Sequence, residues 1–101
     1  MKHYDVAVVG ATGLVGETLL RVLESSSFPV GKLYMLASEH SDENKVIYNG
    51  ENYAVENALN FDFSRVKLAW FAIGDKMAKH IIPRAVEAGC WVIDNSEAYR
   101  D

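Results

Sequence analysis

Residues 5–10 (DVAVVG) form a short unbroken apolar run rich in Val. A run of that length without alternation fits a strand buried on both faces, as in a parallel sheet. The period then changes. Leu14, Val15, Thr18, Leu19, Val22 and Leu23 recur at helical spacing, with Glu17, Arg21 and Glu24 left for water, so residues 14–25 are expected to form an amphipathic helix. Breakers at 25–31 (SSSFPVG) stop it. Residues 32–38 (KLYMLAS) predict a second strand and the polar residues 39–44 a loop. Residues 46–48 and 53–55 flank Asn49-Gly50, a pair that supplies the two positive-φ positions of a tight hairpin turn. Residues 66–73 (VKLAWFAI) read as another buried strand. Met77, Ala78, Ile81, Ile82, Ala85 and Val86 again repeat at helical spacing, with Pro83 among them. Either that helix bends at Pro83, or a short turn precedes a helix starting near it. Gly89 suits a helix stop, and residues 90–93 (CWVI) predict a final buried strand.

The order β-α-β-hairpin-β-α-β predicts an α/β, Rossmann-like, doubly wound, mainly parallel sheet with a small β-hairpin insertion. Ligands of such sheets lie beyond the carboxyl ends of the strands. Here those ends are residues 10–16, 37–41, 72–76 and 94–100, and the unusual local chemistry falls in these four loops. Composition narrows the classes. Hydrophobic residues make up 50% and charged residues 24% of the 101, which excludes a disordered chain. The length suits one domain, residues 1–101, and is too short for a complete two-domain enzyme. The net charge of −4, with no basic cluster, argues against nucleic-acid or anionic-membrane partners. No stretch approaches the roughly 18 apolar residues of a membrane helix. Cys90 has no second cysteine to pair with, and Asp5 interrupts any apolar leader; both point to the cytoplasm. No residues have metal-ligand spacing.

The chemistry concentrates in Gly10-Ala11-Thr12-Gly13-Leu14-Val15-Gly16, which joins a strand directly to a helix. Gly10 would permit the sharp exit from the strand, Gly13 the close approach of a pyrophosphate, and Gly16 the packing of helix on sheet. The free amides and dipole of the first helical turn favour an anion there, and Thr12 adds a hydroxyl. The bland alternative is a tight βα turn with no ligand. At the end of the second strand an acid would select NAD, whereas basic or hydroxyl groups accept the 2′-phosphate of NADP. Ser38, His40 and Ser41 can accommodate that phosphate, while Glu39 would repel it unless it faces solvent. A purely solvated loop is the bland reading here too.

Four stretches together (VAVVGATGLVGETLLRVLE, the Phe28-Pro29 pair followed by KLYMLAS, the hairpin, and VIDNSEAYR) resemble the N-terminal NAD(P)-binding domain of the aspartate-semialdehyde dehydrogenase family, over nearly the whole chain. The glycine pattern alone is shared with acetylglutamyl-phosphate reductases; its combination with the other three is more specific. The resemblance implies NADPH-dependent reductive dephosphorylation of aspartyl phosphate to aspartate semialdehyde, on the route to lysine, threonine and methionine. It implies that Thr12, Gly13, Leu14 and Val15 line the cofactor phosphates. Ser38 and His40 would lie near the 2′-phosphate, and Asn95 and Ser96 beside the cofactor. Gly74 keeps the small residue of the loop after the third parallel strand. Arg100 becomes the candidate for the substrate phosphate, a role that suits a guanidinium fork.

The departures from the family pattern are specific. His40 stands where Arg is common, and Asp42-Glu43-Asn44 follows it. Ile73 and Asp75 replace small residues on either side of Gly74 and could crowd a cofactor. Glu97 adds negative charge near an expected anion. The family's catalytic Cys follows an Asn downstream of the DNS segment, and its catalytic His lies further on; no catalytic residue is expected within this chain. Cys90, between Gly89 and Trp91, reads as a structural thiol. His3 and His80 read as surface residues, and Trp70 and Phe71 as core. Three functions follow. One is the NADP-binding domain of an oxidoreductase, not competent alone, with NAD the less favoured cofactor. Another is a non-catalytic relative acting as a nucleotide-binding or interaction module. The third is a reductase of another acyl phosphate, against which Phe28-Pro29 and DNSEAYR speak. An uncovered apolar surface is expected to drive homo-oligomerisation.

Overall fold

Strand β1 (Tyr4–Val9) is the centre around which the molecule is built. In a computed structural model, which describes residues 3–11, 14–37 and 45–94, β1 pairs in parallel with two neighbours. On one side Val6 and Val9 face Leu33 and Leu36 of β2 (Val30–Ala37). On the other they face Leu68 and Phe71 of β5 (Leu68–Phe71). Outside β2 lies β4 (Glu51–Asn57), also parallel, and outside β5 lies β6 (Trp91–Asp94). Strand β3 (Lys45–Tyr48) closes the sheet antiparallel to β4, giving the order β3-β4-β2-β1-β5-β6.

The alternating faces of these strands make two cores. Val6, Val8, Leu33, Met35, Val55 and Leu68 pack with Leu20 and Leu23 of helix α1 (Leu14–Ser25). Ala7, Val9, Leu36, Ala69 and Phe71 pack with Ala78, Ile81, Ile82 and Ala85 of helix α2 (Asp75–Glu87). Phe61 and Phe63, at the 3-10 turn Phe63–Arg65, complete that second core. Crossovers of one hand place α1 and α2 on opposite faces, because the steps from β1 to β2 and from β5 to β6 run in opposite lateral directions. The doubly wound α/β expectation holds.

Several details differ from the sequence reading. The hairpin turns at Asn49 and Gly50, with φ of 51° and 79°, but it is no separate ribbon: its second strand, β4, is a parallel strand of the main sheet. Strand β2 starts at Val30 rather than residue 32, because the Tyr4 amide donates to the Pro29 carbonyl (2.9 Å) and aligns the chain early. Strand β5 is shorter than residues 66–73: Val66 ends the 3-10 turn and the chain bends at Ile73. Helix α2 begins at Asp75 and runs through Pro83, which removes the option of a helix starting near that proline. Val22 and Val86 are 50% and 58% exposed, and Thr18 is exposed, so the inner stripes are narrower than the periodicity suggested. Strand β6 is half-exposed rather than buried, because no further strand flanks it among the described residues.

Two tethers hold the outer elements. Arg21 donates to the Ile47 carbonyl (2.6 Å), and Glu24 accepts from the Asn49 amide (2.6 Å), pinning the hairpin to α1. Arg84 of α2 donates to the carbonyls of Ala58, Leu59 and Phe61 (3.3, 2.8 and 2.8 Å), fastening the segment that leaves β4.

Candidate functional site

The carboxyl ends of β1 and β5 lie side by side, and from them the chain departs to opposite faces of the sheet. A crevice at such a reversal is where open α/β sheets take their ligands. Gly10 leaves β1 with φ +94°, and a Cβ on it would overlap the Ala72 carbonyl oxygen and stand 2.7 Å from Ile73 Cγ2. The amides of Gly10 and Ala11 both donate to the Leu36 carbonyl, at 2.7 and 3.1 Å. Those two donors are therefore occupied by β2, and an anion would have to be held by amides further along. A Cβ on Gly16 would overlap the Gly10 carbonyl oxygen and lie 2.9 Å from Ala11 Cα. The first turn of α1 thus rests directly on the loop that feeds it.

This packing sets the N-terminal turn of α1, whose amides have no intrahelical acceptor and which carries the positive dipole end, beside the loop that leaves β1. Helix α2 starts at the same end of the sheet, capped by the extended Gly74 with no side-chain hydrogen bond. A Cβ on Gly74 would meet nothing within 4 Å. Bare backbone at the start of a helix is the chemistry that seats a diphosphate. Glu17 in the first turn of α1 opposes it with negative charge.

Of the residues nominated from sequence, the structure brings together Gly10 and Gly16, in contact, with the backbone of Leu14 and Val15 beginning α1. Gly74 lies in the loop whose Ala72 and Ile73 press on Gly10. Thr12, Gly13, Ser38, His40, Ser41, Asn95, Ser96 and Arg100 lie outside the described residues. Two participants escaped the sequence reading. The Leu36 carbonyl is a backbone group and carries no side-chain signal. Arg84 looked like one more polar position on an amphipathic helix, although an arginine facing a turn of carbonyls is a common helix-to-loop clamp.

The other candidates behave as structural groups. Cys90 precedes β6 and is half-buried; its Sγ donates to the carbonyls of Phe63 (3.1 Å) and Val66 (3.3 Å). Burial pushes its thiol pKa up, against a smaller opposing pull from Lys67, the reverse of what a nucleophile needs. His3 and His80 are exposed and Phe71 is fully buried. Trp70 is half-buried, with its indole Nε1 enclosed and lacking an acceptor among the described residues. A depression of about 600 Å³ lies away from the crevice, lined in part by Glu56, Asn57, Asn60 and Arg65. There the Arg65 guanidinium stacks on Tyr34 and Phe61, 4.6 and 4.9 Å from the ring centres. Among the described residues no group of His, Cys, Asp or Glu is arranged to hold a metal ion, and no helix is long and apolar enough to cross a membrane.

Comparison with known proteins agrees with this geometry. Residues 5–101 match the family model for the semialdehyde dehydrogenase NAD binding domain. The aspartate-semialdehyde dehydrogenase of Legionella pneumophila is 46% identical over 98% of this chain and 28% of its own length. The USG-1 protein homolog of Azotobacter vinelandii is 42% identical over 93% of this chain and 28% of its own. The crystal structure of aspartate semialdehyde dehydrogenase II from Vibrio cholerae, complexed with ASA, superposes with a TM-score of 0.88 at 43% identity, over 97% of this chain and 32% of that one. The chain spans about a third or less of the length of these relatives. With the glycine cradle, the strand order and these matches in agreement, the chain belongs to the semialdehyde dehydrogenase family and carries its NAD-binding domain.

Proposed function

We propose that this chain is the NADP-binding part of an aspartate-semialdehyde dehydrogenase, and that it is not catalytically competent alone. The observation that carries the reading is the seating of Gly16 on Gly10, which sets the open end of α1 over the β1–β5 crevice. In this reading Thr12, Gly13 and the amides of Leu14 and Val15 hold the cofactor diphosphate. Ser38, His40 and Ser41 hold the adenosine 2′-phosphate, Gly74, Asn95 and Ser96 flank the remainder of the cofactor, and Arg100 holds the phosphate of aspartyl phosphate. The bound nicotinamide supplies the hydride; this chain supplies orientation and the anion seat. The protein acts in the cytoplasm as a homo-oligomer, and the family's catalytic Cys and His have no counterpart in these 101 residues.

Calorimetric titration tests this. NADP is expected to bind more tightly than NAD, and Gly13→Asp to weaken NADP by on the order of tenfold or more, because a carboxylate would occupy and repel the diphosphate. No heat and no protection against unfolding from either dinucleotide would overturn the cofactor reading. A second reading, a non-catalytic nucleotide-binding or interaction module, is favoured by His40, Asp75 and Glu97, the departures in the sequence from the family pattern. The coding sequence after residue 101 separates the two: an Asn-Cys pair soon afterwards supports the enzyme and a stop codon supports the module.

A further inference from the structure

We propose that Ile73 sets how a dinucleotide crosses the reversal point between the β1–α1 and β5–α2 loops, and so acts as a specificity-determining residue; this rests on the cofactor reading above. The position that a Cβ would take on Gly10 lies 2.7 Å from Ile73 Cγ2. The isoleucine therefore fills the space that the bare glycine leaves open, on the side facing β5. The loop carrying it is fixed at its root, since the Ala72 amide donates to the Val9 carbonyl at 2.8 Å. The side chain is half-buried against the core that contains Val9 and Phe71. A β-branched side chain with few rotamers has little freedom to swing aside. Beyond it, Gly74 opens onto free space, with nothing within 4 Å of a Cβ built there.

Ile73 thus stands as an apolar sill between Gly10, which it packs against, and Gly74, which opens onto free space. A ligand that ends at its first phosphate, held by the first turn of α1, stops short of Ile73. A ligand that spans both halves of the crevice passes over it. The size of residue 73 should therefore matter for a dinucleotide and not for its adenylate half.

The test is calorimetric titration of the chain and of Ile73→Ala, Ile73→Val and Ile73→Phe, with NADP and with adenosine 2′,5′-bisphosphate as probes. Affinity for NADP is expected to fall as residue 73 grows: about threefold to tenfold tighter for Ala and weaker by a similar factor for Phe, with Val between Ala and the parent. Affinity for adenosine 2′,5′-bisphosphate is expected to stay within about twofold throughout. Urea unfolding identifies any variant that does not fold, and Ile73→Val, the smallest change, keeps the comparison available. If NADP affinity is flat across the series, or both probes move in parallel, the assignment to Ile73 is overturned while the cofactor reading stands. If the parent chain binds neither probe, both are overturned.

Discussion

Gly16 and Gly74 belong to the same glycine-marked crevice, yet they answer to different constraints. A methyl group at Gly16 would enter the space of the Gly10 carbonyl, and the atoms it meets are all backbone. Neither α1 nor β1 can yield without disturbing the core on which both rest, so Gly16→Ala is expected to destabilise the fold by about 1–3 kcal/mol. At Gly74 a methyl group would meet nothing, and the residue has φ −62°, a value open to any amino acid. Gly74→Ala should therefore stay within about 0.5 kcal/mol of the parent. Urea midpoints of the two variants check the contrast, and a neutral Gly16→Ala would contradict the close approach of helix to loop. The sequence made the cradle legible because a glycine's lack of a side chain is itself a signal. It could not reveal that the Gly10 and Ala11 amides both point to the Leu36 carbonyl, since a backbone donor leaves no trace in residue type. Nor could it show that Ile73 leans on Gly10, because that contact joins two loops more than sixty positions apart.

Elements were legible where one period ran without interruption, as in 5–10 and 14–25, and less so where tertiary contacts set the limits. The helix through Pro83 is the clearest example. Proline removes one helical hydrogen bond, but Ile81, Ile82 and Ala85 on either side are buried against the sheet, and that burial outweighs the local cost. The segment from Ala58 to Val66 shows the converse. It has no periodicity to read, yet it packs Phe61 and Phe63 into the core on one sheet face. Its order comes from Asp62, whose carboxylate accepts from the Ser64 amide and hydroxyl (3.0 and 2.7 Å), and from the Arg84 clamp. Arg84 also lies 5.6 Å from the centre of the Phe63 ring. Arg84→Met keeps the helix and much of the apolar stem but strands three carbonyls, so a loss of about 2 kcal/mol is expected. Arg84→Lys, a point donor without the planar fork, should recover only part of it. Amide exchange at residues 58–61 is the readout: a uniform change across the whole sheet, with no excess there, would show that the clamp acts through helix stability alone.

On the scale of the whole molecule, the sheet is covered unequally. Parallel strands are normally packed on both faces, and α2 with the Ala58–Val66 segment provides this on one side. On the other, α1 covers β1 and β2, whereas Trp91 and Ile93 of β6 stay 50% and 40% exposed. They share that face with Leu68 and Trp70, their register partners in β5. Trp91 is held in place by Tyr4, with ring centres 5.4 Å apart, and by the Lys67 ammonium 4.8 Å from its own ring. The stripe is therefore fixed and apolar, on a strand with an unpaired outer edge among the described residues, which is a surface prone to association. Its pattern is self-complementary. If two copies of β6 pair antiparallel about a two-fold axis at Val92, each Trp91 lies opposite the partner copy's Ile93 on one face, an aromatic–β-branched pair of the kind that stabilises sheets. A shift by one residue would not keep like faces together. The chain is accordingly expected to associate reversibly as its concentration rises, with a dimer mass by light scattering at the upper end. Ile93→Lys, which removes the β-branched partner of the other copy's Trp91, sets an ammonium beside the one that Lys67 already holds on that ring and leaves the core untouched, should return it to a monomer. A strictly monomeric mass for the parent chain at high concentration would dismiss the pairing, and a dimer that persists in Ile93→Lys would move the interface elsewhere.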